Sequence, residues 1–211
     1  MDLVPLLSWF ALGGRCRYCH VKINARYPVV ELACGVLFAC MVFYTTSLSA
    51  FPLAFLAFIL LCVAVIDQQT QEIPDRLVLA GAIAGVLWVI VARFTSLDIP
   101  HAPVLYDAAL GVLAGGVPLL VLDKLSLLIF KKDGFGYGDV KLMAMAGVFL
   151  GWQLTLAAFF FAIVAAGAWG AFLLATKRAR RGEYIAFGPF LCAGVLLALW
   201  FGPWVLALYS I

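Results

Sequence analysis

Long apolar runs, separated by short charged segments, constrain this chain more than any other feature of its sequence. Apolar residues make up 66% of the 211 residues and charged residues only 12%, whereas an ordinary soluble domain is about half apolar and about a quarter charged. So few polar side chains cannot cover a surface that faces water, and the composition excludes a soluble globular domain. Because a spanning helix takes about 20 apolar residues, the sequence predicts a polytopic membrane protein.

The predicted fold class is all-α, with about seven transmembrane helices. The predicted helices cover residues 28–44, 52–66, 77–93, 107–130, 140–150, 154–176 and 187–209. The fifth is shorter than the hydrocarbon thickness requires, so it is either tilted, extended by residues 151–155 or partly re-entrant. We therefore divide the chain into a basic cytoplasmic or interfacial segment, residues 1–27, and a membrane-embedded domain, residues 28–211.

The distribution of basic residues predicts an orientation, because Lys and Arg concentrate in the cytoplasmic loops of membrane proteins. If the N-terminal segment is cytoplasmic, twelve of the 14 Lys and Arg residues fall on that side, and the exceptions are Arg93 and Lys124. An odd number of crossings then leaves the C-terminus outside. Since the basic residues serve topology in this interpretation, the net charge of +3 predicts no nucleic-acid partner.

Two aspartates lie at the same predicted membrane boundary. Asp67 follows the second predicted helix and precedes the sequence IPD at residues 73–75, while Asp139 begins the fifth helix after GFGYG at residues 134–138. Carboxylates at such depth are costly and usually functional. If two of them meet, they share a proton, because neighbouring like charges do not both ionise readily. One is then a base that activates water and the other an acid that protonates the leaving amine of a peptide.

The glycines in front of Asp139 have two interpretations. Glycine lets a backbone turn tightly, adopt positive φ and approach an extended substrate closely, which favours an active-site loop at Gly136 and Gly138. The structural alternative is a flexible turn in which Asp139 caps the next helix, since Asp is a preferred N-cap residue. The second aspartate on the same side favours the active-site loop. Asp123, deep in the fourth predicted helix, is interpreted as a structural contact.

The two aspartate segments resemble the catalytic segments of the type IV prepilin peptidases, which are intramembrane aspartyl proteases of the GxGD group. Asp67 with IPD at residues 73–75 is similar to the first segment, and GFGYGDVKL at residues 134–142 is similar to the second. The resemblance extends along nearly the whole chain, through CRYC at residues 16–19, PVVE at residues 28–31 and FGPF at residues 187–190.

This resemblance implies removal of a basic leader from type IV prepilins or pseudopilins at the cytoplasmic face of the bacterial inner membrane. It assigns the catalytic roles to Asp67 and Asp139, and the active-site loop to Gly136, Tyr137, Gly138 and Lys141. Lys141 either contacts the site or simply follows the orientation rule. Many members also methylate the new N-terminal residue with S-adenosylmethionine, and a protease-only member is the alternative. Glu72, Asp75 and Asp133 are hypothesised to attract the basic leader, and membrane lipid is the other expected partner.

The N-terminal segment departs from the family pattern. Longer members have an additional N-terminal helix and a first Cys-x-x-Cys pair, and their two pairs together form a zinc site of four cysteines. Here the pair is Cys16 and Cys19, and structural zinc takes four ligands. A zinc site would therefore need His20, another chain or further sequence, and the alternative is two reduced cysteines in a basic loop. The same departure leaves methyltransferase activity open.

Three other functions stay open. In the presenilin and signal-peptide-peptidase branch of GxGD proteases a tyrosine normally precedes the first aspartate, whereas this chain has Ile66. A small ion- or proton-coupled transporter would have carboxylates near mid-membrane and inverted halves, and the sequence shows neither pattern. A structural assembly protein would require neither Asp67 nor Asp139.

Overall fold

The computed structural model describes residues 6–44, 50–94, 102–131, 136–177 and 186–209. Within these ranges the regular structure is helical, apart from a single antiparallel bridge between Arg15 and Lys22. The helices are α1 (Leu7–Ala11), α2 (Arg26–Tyr44), α3 (Ala50–Thr70), α4 (Asp75–Phe94), α5 (Leu105–Phe130), α6 (Tyr137–Ala175) and α7 (Gly188–Tyr209). The predicted all-α fold class is confirmed.

Five of these helices, α2 to α6, have the length and apolar composition to cross a membrane, and α7 contributes a shorter apolar stretch, Gly188–Gly202. Many large apolar side chains on their outer faces are exposed, among them Phe58, Ile83 and Phe160. Such faces suit lipid, whose tails are as apolar as the side chains. A membrane protein is therefore confirmed.

The longest helix, α6, is kinked at Gly151. This residue has φ 72° and ψ 175°, a conformation that glycine adopts far more readily than residues with a side chain. The kink falls between the two predicted helices at residues 140–150 and 154–176, so the sequence predicted the position of the break. The break consists of one non-helical residue, Gly151, rather than a loop. The Asp107 carboxylate of α5 packs here, and a Cβ atom at position 151 would lie 2.6 Å from its Oδ2.

Helix α3 is longer than predicted. It continues past residue 66, where the apolar run stops, and includes Asp67 before it ends at Thr70. The Thr70 hydroxyl donates a hydrogen bond to the Ile66 carbonyl at 3.0 Å. A helix needs only its internal hydrogen bonds to continue, so leaving the apolar region does not end it.

Helices α5 and α6 approach each other at glycines. A Cβ atom at Gly111 would meet the Gly147 carbonyl oxygen, one at Gly147 would meet the Gly111 carbonyl oxygen, and one at Gly115 would meet the Met143 carbonyl oxygen. Small residues let helix backbones pack closely in a membrane, where dispersion contacts and hydrogen bonds stabilise the association. The first half of α6 is accordingly the centre of the bundle, with Leu142 and Ala146 fully buried.

The N-terminal segment folds back on itself beside α1. The backbone N–H of Cys16 donates to the Val21 carbonyl at 3.0 Å, and that of Ile23 donates to the Gly14 carbonyl at 2.7 Å. The indole N–H of Trp9 donates to the Ile23 carbonyl at 3.3 Å. These bonds join α1 to the basic loop that leads into α2.

We expect Gly147→Ala to lower the free energy of unfolding by about 1–3 kcal/mol, because the added methyl group meets the backbone of α5, which cannot rotate away. Gly167→Ala in the second half of α6 is the matched control. Outside its own stretch of helix, no atom of the described residues lies within 4 Å of its added Cβ, so the change should be neutral or stabilising by up to about 1 kcal/mol. Thermal unfolding in detergent measures both, and equal effects would contradict the close contact of α5 with α6.

Candidate active site

The two predicted aspartates line one cavity. The cavity has a volume of about 720 Å³ and lies between the end of α3, the connection to α4 and the beginning of α6. Its lining includes Asp67, Asp75, Gly136, Gly138 and Asp139. Residues 72 positions apart in sequence are thus neighbours in space, as the sequence predicts for a carboxylate pair.

Asp67 lies in the last turn of α3 and is buried, with 6% of its surface exposed. Its Oδ2 accepts a hydrogen bond from the backbone N–H of Gly188, at 3.1 Å. A buried carboxylate requires such a partner, because leaving water without a replacement hydrogen bond is expensive. The bond joins the end of α3 to the beginning of α7.

Asp139 lies in the first turn of α6, three residues after the N-cap Gly136. The backbone N–H of Asp139 donates to the Gly136 carbonyl at 3.0 Å, which closes the turn. Its carboxylate is partly buried and is near enough to Asp67 for the two charges to interact. Two carboxylates in this relation can divide the roles of acid and base, since they do not both ionise readily.

Neither described loop glycine has positive φ, and lack of space for a side chain explains Gly138. Gly136 has φ −76°, and the positive-φ glycines of the described ranges are Gly13, Gly14 and Gly151. A Cβ atom at Gly138 would lie 2.9 Å from the Ile73 Cβ. Glycine at position 138 therefore lets the beginning of α6 pack directly against the IPD segment. The preceding residues 134 and 135 of the predicted loop lie outside the described ranges.

Tyr137 and Lys141, the other predicted loop residues, lie outside the cavity lining. Tyr137 is 62% exposed. The Lys141 ammonium is bound to both carboxylate oxygens of Asp75, at 2.8 and 2.9 Å, and so connects α6 to α4 beside the cavity. This pairing also offsets the charge of Asp75. Of the three acidic residues predicted to attract a basic leader, Glu72 lines the cavity and Asp133 lies outside the described ranges.

Helix α7 contributes two residues that were not among the predicted site residues. Gly188 donates to Asp67, and Cys192, one turn further on, is buried and near both carboxylates. The sequence contains a signal for the first, because a glycine and a proline before an apolar run indicate a helix start. It contains no signal that this helix start lies against Asp67. Asp123, interpreted as a structural contact, is buried in α5.

The described part of the chain adds no metal-binding group to the predicted zinc ligands Cys16 and Cys19. Cys16 and Cys19 lie in a tight turn in which the His20 N–H donates to the Cys16 carbonyl. Among the residues that the structure describes, no group of three or more His, Cys, Asp and Glu side chains is arranged to bind a metal. Structural zinc takes four ligands, so the two cysteines and their described neighbours do not fit a zinc site.

Comparison with known proteins identifies the family of this chain. Residues 54–171 match the model of the Type IV leader peptidase family, and residues 1–45 match that of the Bacterial Peptidase A24 N-terminal domain. Three relatives are named "Prepilin leader peptidase/N-methyltransferase". That of Stutzerimonas stutzeri is 35% identical over 207 residues (98% of this chain, 69% of the relative), that of Burkholderia pseudomallei (strain K96243) 40% over 202 residues (94% and 62%), and that of Pseudomonas aeruginosa 35% over 199 residues (93% and 66%).

The chain thus spans 62–69% of the length of these relatives. No solved structure matches it. The matches confirm the family that the two aspartate segments indicated, and with it the predicted class of enzyme, a prepilin peptidase. Its family matches and its relatives together show that the chain belongs to the type IV leader peptidase family.

Proposed function

We propose that this chain removes the leader peptide from type IV prepilins or pseudopilins, with Asp67 and Asp139 as the catalytic pair. The observation that supports the pair most directly is that both carboxylates line one cavity and are near enough for their charges to interact. Membership of the leader peptidase family supports the reaction class. Both carboxyl groups that the reaction requires belong to residues that line the cavity.

The reaction proceeds by addition of water to the peptide bond. The ionised carboxylate takes a proton from the water while the water oxygen attacks the carbonyl carbon. The protonated carboxyl group donates its proton to the carbonyl oxygen. The tetrahedral intermediate then breaks at the C–N bond. The carboxyl group that gained the proton of the water gives it to the leaving amine, and the other carboxylate takes the proton of one hydroxyl of the intermediate, which restores the pair. The absence of a side chain at Gly136 leaves that part of the cavity wall open to an extended peptide backbone.

The position of the cavity suits a substrate that is half in water and half in lipid. The cavity lies where the apolar part of α3 gives way to Gln68 and Gln69, next to the polar connection that leads to α4. We infer that this is the cytoplasmic side of the bacterial inner membrane, with the C-terminus outside, because that orientation puts most Lys and Arg residues on the cavity side. A basic leader then remains in water near Glu72, and the apolar helix of the pilin remains in the bilayer.

Asp67→Asn and Asp139→Asn should each lower the rate of leader cleavage by at least about 100-fold, because each removes a group that must bind and release a proton. The assay mixes the purified chain with a prepilin in detergent and follows leader loss by mass. Asp107→Asn is the matched control, since Asp107 lies against Gly151, well along α6 from the cavity. Wild-type cleavage by either asparagine variant of the pair would contradict the proposed function.

Lys141→Met should lower kcat several-fold with little loss of stability. The variant leaves the Asp75 charge unpaired beside the catalytic pair, where a third negative charge opposes formation of the reactive ionised carboxylate. Both partners are largely exposed, so their ion pair contributes at most about 1 kcal/mol to folding. The double variant Lys141→Met/Asp75→Asn should recover most of the lost activity, and a double variant no better than Lys141→Met would count against this electrostatic role.

N-methylation of the released pilin is a second proposed activity, and one specific observation favours it. The N-terminal segment encloses a separate cavity of about 270 Å³. The names of the relatives, which include N-methyltransferase, also support this activity. The lining of this cavity includes Trp9, Arg15, Tyr27 and Glu31. The aromatic rings suit an adenine ring, the guanidinium suits a carboxylate, and the acid suits an ammonium group. We propose that this cavity binds S-adenosylmethionine, which supplies a methyl group to the new N-terminal amine.

Binding of S-adenosylmethionine should therefore be measurable without a substrate, by titration calorimetry on the purified chain. Glu31→Gln should weaken it about tenfold, because a hydrogen bond to a charged group contributes about 1.5–3 kcal/mol. The same variant should leave leader cleavage unchanged. If the wild-type chain binds no S-adenosylmethionine, or if Glu31→Gln binds it equally well, the proposed methyl-donor site is wrong.

A further inference from the structure

The first residue of α7 is in direct contact with Asp67. Gly188 and Asp67 are 121 residues apart in sequence, and the 3.1 Å hydrogen bond between them is buried. Of the first two residues of α7, only Gly188 has an N–H to donate, because Pro189 has none. The contact therefore depends on one backbone group at one position.

Position 188 has no room for a side chain. A Cβ atom there would lie 2.6 Å from Oδ2 of Asp67 and 2.9 Å from its Cγ, closer than carbon atoms approach such groups in real structures. Asp67 is 6% exposed, so the free space available to its carboxylate is the cavity that it lines. Any side chain at position 188 must therefore displace either the carboxylate or the beginning of α7.

The hydrogen bond also has an electrostatic effect. The first N–H groups of a helix have no partner within the helix, and the positive end of the helix dipole adds to their attraction for an anion. A carboxylate that accepts such a bond is held by one oxygen, and its charged form is favoured. The Gly188 N–H thus fixes the plane of the Asp67 carboxylate and stabilises it as a proton acceptor.

The next turn of α7 continues the same wall of the site. Cys192 is 3% exposed, and its thiol is near enough to both carboxylates for electrostatic interaction. The first two turns of α7 therefore place two small residues, Gly188 and Cys192, near the pair. Larger side chains at these buried positions would push the beginning of α7 away from α3.

We propose that Gly188 is a positioning residue for leader cleavage: its N–H orients Asp67 toward Asp139, and its missing side chain leaves the space that the carboxylate occupies. The inference rests on the proposed catalytic role of Asp67. Activity then depends on the beginning of α7 being docked against the end of α3, although α7 itself supplies no catalytic side chain.

The test compares Gly188→Ala with Gly194→Ala in the same helix. Both substitutions add one methyl group at a close-packed glycine, but the one at position 194 would meet the Ala158 carbonyl oxygen and Ala162 of α6 instead of Asp67. Cleavage of a prepilin by the purified full chain gives kcat and KM, and thermal unfolding gives stability. Gly188→Ala should lower kcat at least tenfold with little change in KM, since small displacements of a reacting group cost as much as about 100-fold. Gly194→Ala should keep kcat near the wild-type value.

A backbone ester at position 188, made by incorporating glycolic acid in place of glycine, separates the hydrogen bond from the steric effect. The ester lacks the N–H that Asp67 accepts and adds no side chain. We expect a kcat several-fold below that of the wild-type chain, and a shift of the acidic limb of the pH–kcat profile toward higher pH. A wild-type kcat and a wild-type pH profile in the ester variant would overturn the role of the N–H.

A stability measurement keeps the steric claim testable even if Gly188→Ala folds poorly. In the Asp67→Ala background, where the carboxylate is absent, Gly188→Ala should cost much less stability than in the wild-type chain. Additive losses would overturn the inference, as would wild-type kcat in Gly188→Ala. These outcomes differ from failure of the proposed function, in which Asp67→Asn and Asp139→Asn would themselves cleave normally.

Discussion

The close contact between the backbones of α5 and α6 determines where everything else in the bundle can be. Because Gly111 and Gly147 have no side chains, the first half of α6 lies at the centre of the bundle. Gly81 and Gly85 of α4 then leave room for the side chains of Met145 and Phe149 of α6. A helix held on several sides presents its first turn in a fixed place, and that first turn contains Asp139. The position of one carboxylate is thus set by packing within the apolar bundle.

The other carboxylate is held by polar contacts rather than by packing alone. Asp67 is buried at the end of an apolar helix, accepts the Gly188 N–H, and interacts with the charge of Asp139. Asp75 lines the same cavity, but Lys141 binds both of its oxygens. The charge of one further carboxylate in the cavity is thus offset by an ammonium group, which reduces the repulsion that the pair experiences. Glu72 is the other acidic residue of the lining.

The sequence predicts the helices and the carboxylate pair because both follow from local properties. An apolar run long enough to cross a membrane is visible in any window, and a carboxylate at its end is conspicuous because burial of charge is costly. The kink at Gly151 was likewise located between two predicted helices. The extension of α3 to Thr70 was missed, because the end of an apolar run marks a change of surroundings and not the end of a hydrogen-bonded helix.

Contacts between distant segments could not be predicted in the same way. Neither the pairing of Lys141 with Asp75 nor the bond from Gly188 to Asp67 has a local signal, since each depends on how separate helices are packed. Gly138 illustrates the difference. Its importance was expected, but from backbone conformation, whereas its actual constraint is the Ile73 side chain that it touches. A residue type can thus be selected for a reason that only the assembled bundle reveals.

The kink at Gly151 has a consequence for how such an enzyme adapts to its surroundings. It divides α6 into a buried half that begins with the turn containing Asp139 and a second half in which Phe160, Ile163 and Val164 are exposed. Because the two halves do not share one straight axis, changes in the second half that match a thicker or thinner bilayer need not tilt the first half. The exposed residues of the second half can therefore vary with the lipid, whereas Ala158 and Ala162 of the same half are buried against α7.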